Sequence, residues 1–248
     1  MRPSEILTRE VIEPTWIVKD MFSKGTMVCL AGEAGAGKSY LMYHLMYCIA
    51  SRRPFLGHMT VPTRISYFDE ENGTPDFLQY NQWAWAAQEC PDMAPLDEMI
   101  SIQHRQLGSG WKMATRRELR EHRPGLVIFD TATPCFSILD ENDNGKAQEI
   151  TRELGQIRKE FGDPECTFII LKHEKQRDDT QHRRTIRGAK AWLGAVDQVI
   201  YHVIAPGAKR RKDGTRMTRL EPDKLRAFAL NHTIEIDPEK VESTPKSL

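Results

Sequence analysis

The sequence has no long hydrophobic run, few cysteines and no excess of either charge. None of its apolar stretches approaches the roughly 18 consecutive residues that a membrane-spanning helix needs, and its first 14 residues lack the apolar core of a secretory signal. The five cysteines are widely spaced and form no C-x-x-C pair, which argues against a disulfide framework or a zinc knuckle. We therefore expect a cytoplasmic protein with reduced, mostly buried thiols and no membrane contact.

The formal net charge is zero, but the charges are distributed unevenly. Residues 172–226 contain 15 Lys or Arg and 7 Asp or Glu, so this part carries +8 and the remainder −8. Such a basic segment in a neutral chain indicates a polyanionic partner, although a solvated charged surface gives the same pattern. Balanced charge and a hydrophobic fraction of 40% argue against a mainly disordered chain.

Short apolar segments alternate with helix-compatible segments along most of the chain. Apolar runs predict strands at 27–31, 64–68, 126–129, 167–171 and 198–203. Helices are predicted at 40–50, 77–90, 116–122 and 147–160. This alternation is typical of an α/β protein with a mostly parallel central sheet flanked by helices.

The two ends of the chain follow other patterns. Alternating residues at 217–220, 227–230 and 233–236 predict a C-terminal β-hairpin. We expect an N-terminal segment at 1–25, one domain at 26–237 and a disordered tail at 238–248.

One glycine-rich segment has a specific chemical meaning. Residues 32–39, GEAGAGKS, match the pattern G-x-x-x-x-G-K-[ST] and lie between a predicted strand and a predicted helix. In such a loop, backbone amides surround phosphate oxygens and the helix N-terminus adds favourable partial charge. Lys38 is expected to contact the β- and γ-phosphates; a plain glycine turn is the alternative. The predicted ATP site consists of Gly32, Glu33, Ala34, Gly35, Ala36, Gly37, Lys38, Ser39 and Tyr40.

A second element would complete the nucleotide site. The apolar run 126–129 ends at Asp130, about 90 residues after the loop. In a P-loop fold, a carboxylate at this place holds magnesium together with the loop hydroxyl. We therefore predict that Ser39 and Asp130 bind Mg²⁺, although many buried strands end in Asp for structural reasons alone.

Hydrolysis also needs a carboxylate that orients the attacking water. The strand 64–68 is followed by Asp69, Glu70 and Glu71, which are expected at the carboxyl edge of the sheet, beside the phosphates. Glu71 is the predicted catalytic acid and Glu70 the alternative; an acidic helix cap would give the same pattern. His173, at the end of a later strand, is predicted to contact the γ-phosphate.

Taken together, these motifs resemble those of the RecA-like ATPases, and more closely those of the plasmid-type (RepA-like) hexameric replicative helicases. The resemblance spans residues 14–230 and rests on AGEAGAGKS, YFDEEN, GLVIFDTATP followed by ENDN, LKHEK, RGAKAWLGAVDQVIY and LEPDKLRAF, in that order. It implies that 26–237 form a RecA-like P-loop NTPase domain that hydrolyses ATP with Mg²⁺ as cofactor.

The resemblance also implies an oligomer. In the helicase family, a Lys-x-Arg pair on a late strand reaches the γ-phosphate bound by the neighbouring subunit, and Lys224 and Arg226 match that pattern and place. An arginine acting in trans stabilises charge on the transferring phosphoryl group. The expected assembly is a homo-oligomer, a ring of six subunits; an ordinary exposed strand pair is the alternative for these residues.

The same resemblance implies DNA-contacting loops at 132–146 and 174–188. The second loop is rich in basic residues, which suit sequence-independent contacts to phosphates. Arg183, Arg184 and Arg187 are the predicted contacts to single-stranded DNA. The first loop is acidic, which argues against a DNA contact there.

The expected function is that of an ATP-hydrolysing oligomeric motor on single-stranded DNA, of the replicative helicase type. Two alternatives stay open: a filament-forming recombination or repair ATPase, and a nucleotide-switched regulatory ATPase that binds a protein partner. Stimulation of ATP hydrolysis by a polynucleotide separates the motor from the regulatory ATPase, and closed rings separate it from a filament.

Overall fold

The computed structural model describes residues 2–3, 7–8, 13–89, 93–94, 96–105, 107, 110–140, 143–161, 165–174, 190–211, 215–225, 230 and 232–238. The strands are β1 (Trp16–Val18), β2 (Phe22–Ser23), β3 (Met27–Gly32), β4 (Ile65–Asp69), β5 (Ile100–His104), β6 (Leu126–Asp130), β7 (Thr167–His173), β8 (Gln198–Ile204), β9 (Thr218–Leu225) and β10 (Ile234–Ile236). The helices are α1 (Lys38–Ala50), α2 (Thr74–Ala86), α3 (Leu96–Met99), α4 (Trp111–Glu121), α5 (Ala132–Cys135), α6 (Asn144–Glu160) and α7 (Lys190–Ala195).

In the described part of the chain, eight strands form one sheet in the order β10-β9-β8-β3-β7-β6-β4-β5. The six strands from β8 to β5 run parallel, whereas β9 pairs antiparallel with β8 and with β10. β1 and β2 form a separate antiparallel pair. The predicted α/β class with a mostly parallel sheet is confirmed. The C-terminal strands β9 and β10 form an antiparallel pair at one edge of this sheet.

The central strands are hydrophobic because helices cover both faces of the sheet. All residues of β3, β4 and β6 are buried, as expected for parallel strands between two helix layers. One face packs against α4, α6 and α7 through Trp111, Leu154 and Trp192. On the other face, Leu45 and Ile49 of α1 belong to a second core cluster, which also includes residues of β1 and β2.

The strand register brings the sequence motifs to one edge of the sheet. Gly32 at the end of β3 pairs with His173 at the end of β7, and Asp69 of β4 pairs with Asp130 of β6. The carboxyl ends of parallel strands meet at the same edge, where α/β proteins bind their ligands. The loop after β3 and the predicted catalytic residues therefore share one site.

Several element boundaries differ from the sequence prediction, and the structure gives a physical reason for two of these differences. The helix α2 begins at Thr74 and not at 77, because Pro75 occupies its first turn, where a missing N–H leaves no bond unmade. The strand β9 continues through Pro222, opposite which the β8–β9 register shifts between Val199 and Ile200. A bulge of this kind tolerates a residue without an N–H.

The predicted N-terminal segment contributes to the core. Ile17, Val18 and Phe22 are buried, although they precede the first strand of the main sheet. Residues 227–229 and 239–248 lie outside the described residues, so the second predicted hairpin segment, 227–230, is not described in full. The division into 1–25, 26–237 and 238–248 stays a prediction.

Candidate active site

The glycine-rich loop follows β3 and leads into α1. Gly37 has a φ of 88°, a left-handed conformation that residues other than glycine rarely adopt. Gly32 has no room for a side chain, since a Cβ there would lie 2.2 Å from the carbonyl oxygen of His202. The backbone path of the loop therefore requires glycine at both positions, before any ligand is considered.

The start of α1 can receive an anion. Its N-cap residue is Gly37, which has no side chain to cap the N–H groups of the first turn. These N–H groups can therefore bind phosphate oxygens. Lys38 is buried, and its Nζ donates to the carbonyl oxygens of Gly32 (3.0 Å) and Glu33 (2.9 Å). Burial lowers the pKa of Lys38, and the charge of Glu71 opposes that shift.

Asp130 is completely buried at the end of β6. Tyr67 Oη donates a hydrogen bond of 2.8 Å to Oδ2, whereas Oδ1 is buried without a hydrogen-bond partner. Burial, reinforced by the charge of Asp69, raises the pKa of Asp130 to about 7, and the Ser39 and Tyr67 hydroxyls lower it in part. Such an uncompensated oxygen, together with the Ser39 hydroxyl, fits Mg²⁺ that also binds phosphate oxygens.

The site contains a second buried carboxylate, Asp69, to which the sequence analysis assigned no role of its own. Asp69 Oδ1 accepts hydrogen bonds from the backbone N–H groups of Glu71 (3.2 Å) and Asn72 (3.0 Å). The Asn72 amide lies 3.1 Å from Asp69 Oδ2 and 3.5 Å from Asp130 Oδ2, and Tyr43 Oη also donates to Asp69. These bonds hold the turn after β4 and thereby fix the backbone of Glu71. The sequence indicated only that Asp69 begins an acidic cluster.

Glu71 and His173 meet although they are 102 positions apart in the chain. His173 Nε2 donates to Glu71 Oε1 at 3.1 Å, and this bond, with help from Thr131, lowers the pKa of Glu71. Both side chains line a cavity of about 210 Å³ together with Lys38 and Ser39. The site thus combines a cation, a hydroxyl, a carboxylate and an imidazole around one space.

Glu70 has different surroundings. Its Oε1 accepts a hydrogen bond of 2.9 Å from the backbone N–H of Leu107, in the segment after β5. Glu71 thus lines the cavity beside Lys38 and Ser39, whereas Glu70 is bound to the segment after β5.

A second cavity, of about 360 Å³, adjoins the same loop. It shares Gly35, Gly37 and Tyr40 with the smaller cavity, and residues of β8, β9 and β10 form much of its remaining wall. His202 and Thr218 belong to that wall. The two cavities provide room on both flanks of the loop, as the two ends of a nucleotide require.

Lys224 lies away from the loop of its own chain. It pairs with Val199 of β8, which pairs with Cys29, three positions before Gly32 on β3. Its Nζ donates to the carbonyl oxygen of Val196 at 2.6 Å, just after α7. In its own chain Lys224 therefore binds backbone carbonyls and not the nucleotide site.

Of the predicted DNA-contacting loops and Arg226, the structure describes only a part. Of the first predicted DNA loop, 132–140 and 143–146 are described, and α5 lies at its start. The predicted residues Arg183, Arg184, Arg187 and Arg226 lie outside the described residues.

The fold and the site together define a class of protein. A parallel sheet with a glycine-rich loop between a central strand and a helix, and with acidic residues at neighbouring strand ends, is that of a RecA-like P-loop nucleoside triphosphatase. A family model described as AAA domain matches residues 5–179, more than half of the chain. The chain belongs to this family of ATPases, whose domain binds ATP, typically with Mg²⁺.

The family match confirms the predicted nucleotide-binding ATPase domain. No curated protein matches the chain at a significant level. Among the described residues, no helix combines the length and the apolar character needed to cross a membrane.

Proposed function

We propose that this ATPase is an oligomeric motor that couples hydrolysis of Mg·ATP to movement along single-stranded DNA, as a replicative-type helicase. The observation that carries the proposal is the 3.1 Å hydrogen bond between Glu71 and His173. It joins the candidate catalytic carboxylate to the end of β7, from which the chain continues into the basic segment 175–188. A change at the phosphates would thus be passed along the chain from β7 to the predicted DNA contacts.

Nucleotide binding is expected to move Lys38. Phosphate oxygens are stronger acceptors for an ammonium group than the two carbonyl oxygens that it now contacts. Neither carbonyl loses all its donors when Lys38 turns, since Gly32 also accepts from the Glu174 N–H (2.9 Å) and Glu33 from the Ala36 N–H (3.2 Å). The loop is therefore built to release this side chain to the β- and γ-phosphates.

Ser39 and Asp130 would hold Mg²⁺, with Asp130 Oδ1 as the oxygen that now has no partner. The ion neutralises charge on the triphosphate and on the carboxylate. Asp69 is engaged by Asn72 and by the turn after β4, so its role is to hold that turn.

Glu71 would orient the attacking water. Its lowered pKa keeps the carboxylate ionised at neutral pH, as an acceptor for water protons requires. When Glu71 takes up the water, its bond from His173 is shared or given up, and His173 can then contact the γ-phosphate. That exchange would move the end of β7 with each round of hydrolysis.

The proposed assembly is a head-to-tail hexameric ring. AAA domains commonly assemble into oligomers, and the order of motifs resembles that of the plasmid-type helicases. Lys224 lies near the amino ends of the parallel strands, whereas the glycine-rich loop of the same chain lies at their carboxyl ends. A role for Lys224 in hydrolysis therefore requires a neighbouring copy, whose site Lys224 and Arg226 would complete.

The test of this function is the ATPase rate with and without single-stranded DNA at several salt concentrations. Stimulation that fades with rising salt is expected, because basic contacts to phosphates release counterions. A rate that DNA leaves unchanged would contradict the DNA motor and favour the regulatory ATPase. Electron micrographs of the ATP-bound protein should show closed rings, and helical filaments would replace the helicase by the recombination type.

A further inference from the structure

His202 lies directly beneath the glycine-rich loop. It is near the end of β8, with only 2% of its surface exposed. Its carbonyl oxygen occupies the space that a Cβ of Gly32 would need, and its Cε1 would lie 3.7 Å from a Cβ at Gly37. One residue of β8 thus contacts both glycines that the loop pattern fixes.

The two ring nitrogens of His202 have different surroundings. Nε2 shares a hydrogen bond of 2.9 Å with Thr218 Oγ1 on β9, whereas Nδ1 is buried without a hydrogen-bond partner. Burial, with the charge of Lys38, lowers the pKa of His202 to about 3, so the ring is neutral. A buried polar atom without a partner is costly, and such an atom in a native structure calls for an explanation.

A phosphate-bound conformation of the loop would give Nδ1 of His202 a hydrogen-bond partner. The N–H groups of the loop then turn inward to the phosphate oxygens, and the carbonyl oxygens of the same peptides point outward, where they need donors. Cε1, the ring atom bonded to Nδ1, is the atom of His202 that would lie nearest to a Cβ at Gly37, and His202 lines a cavity together with residues 34–37 of the loop. A neutral imidazole that accepts from Thr218 at Nε2 has its proton on Nδ1 and can donate there.

We propose that His202 is a positioning residue for the phosphate-binding loop: its Nδ1–H donates to a carbonyl oxygen of 34–37 in the phosphate-bound conformation, while Thr218 fixes the ring. This inference rests on the ATP-binding part of the proposed function and is independent of DNA and of oligomer formation. It assigns His202 to the triphosphate end of the ligand, so it applies equally to a ligand without a nucleoside.

The experiment measures binding of ATP and of inorganic tripolyphosphate, each with Mg²⁺, by calorimetry. The variant His202→Phe fills the space without a ring nitrogen and should bind both ligands about tenfold more weakly, as the loss of one supporting hydrogen bond predicts. The amide nitrogen of asparagine lies near the position of Nδ1 and that of glutamine near Nε2. His202→Asn should therefore restore most of the affinity, and His202→Gln should not.

The control is His44→Gln, which changes another buried histidine, on α1. It should lower the melting temperature without changing the affinity for either ligand. The inference is overturned by parent-like affinity in His202→Phe, by equal affinities in His202→Asn and His202→Gln, or by a loss confined to ATP. Should His202→Phe not fold, the comparison of asparagine with glutamine decides alone. Lack of DNA stimulation in the parent would contradict the motor and leave this inference standing.

Discussion

Glu70 and Glu71 are neighbours in the chain, yet their carboxylates have different partners. Glu70 accepts from the N–H of Leu107, and Glu71 faces the cavity that Lys38 and Ser39 line. The sequence left both open as the catalytic acid because both directly follow β4. The distinction arises from a contact with a residue 37 positions later, which no local pattern reveals.

Replacing each of these two carboxylates by an amide tests whether Glu71 is the catalytic residue. Glu71→Gln should lower kcat by about 10²–10⁴-fold, because a neutral amide cannot orient and deprotonate water, while ATP still binds. Glu70→Gln is the matched control and should keep most of the turnover. Steady-state ATPase rates and ATP titrations measure both effects, and equal losses of kcat in the two variants would contradict the assignment.

Some roles in the site could be predicted from a local sequence motif, whereas others depend on the fold. The loop residues Gly32 to Ser39 could be predicted as a phosphate site because the motif is contiguous and chemically specific. The roles of Asp69, Asn72 and His202 were not predicted because they depend on strand register, which places β4 beside β6 and β8 beside β3. Only folding brings these side chains to the loop.

At the scale of elements, α1 has two functions. Its first turn belongs to the phosphate site, and its remaining turns fill the core, where His44 is buried. His44 contacts Gln88 Nε2 at 3.2 Å and Cys48 Sγ at 3.5 Å. Burial lowers the pKa of His44 from 6.5 to about 4, so the helix packs with this side chain neutral.

The stability of the fold should therefore fall in mild acid. Between pH 6.5 and about 4 the unfolded chain binds a proton at His44 that the folded chain does not, so the stabilisation is complete above pH 6.5 and is lost as the pH falls. The full contribution of His44 to this change in the free energy of unfolding is about 3 kcal/mol. Denaturant unfolding across this range should show a shallower pH dependence in His44→Gln, and an identical dependence would contradict the prediction.

Elements were predicted better than their ends. Apolar strands such as β3 and β6 are recognisable because both faces are buried and the whole run is hydrophobic. The start of α2 was misplaced because its first turn, Thr74 to Asp76, is polar and exposed, so that Pro75 and Asp76 are its helix signals and no hydrophobic residue marks it. Hydrophobic pattern locates the buried part of an element and not its solvated end.

At the scale of the whole molecule, the sheet separates two surfaces. One edge has the loop, Glu71 and His173, while Lys224 lies toward the other end of β8 and β9. Among the described residues of a single copy, the nucleotide site and Lys224 thus lie apart. The proposed ring joins them, so that each active site uses residues of two copies.

Mixing two inactive variants tests this central claim most directly. Lys38→Ala lacks a working loop and Arg226→Ala lacks the trans-acting side chain, so each alone should hydrolyse almost no ATP. Co-assembled in equal amounts, they should regain activity, since about a quarter of the interfaces in a random ring pair an intact loop with an intact Arg226. A mixture as inactive as its components, or full turnover by Arg226→Ala alone, would contradict a site shared between copies.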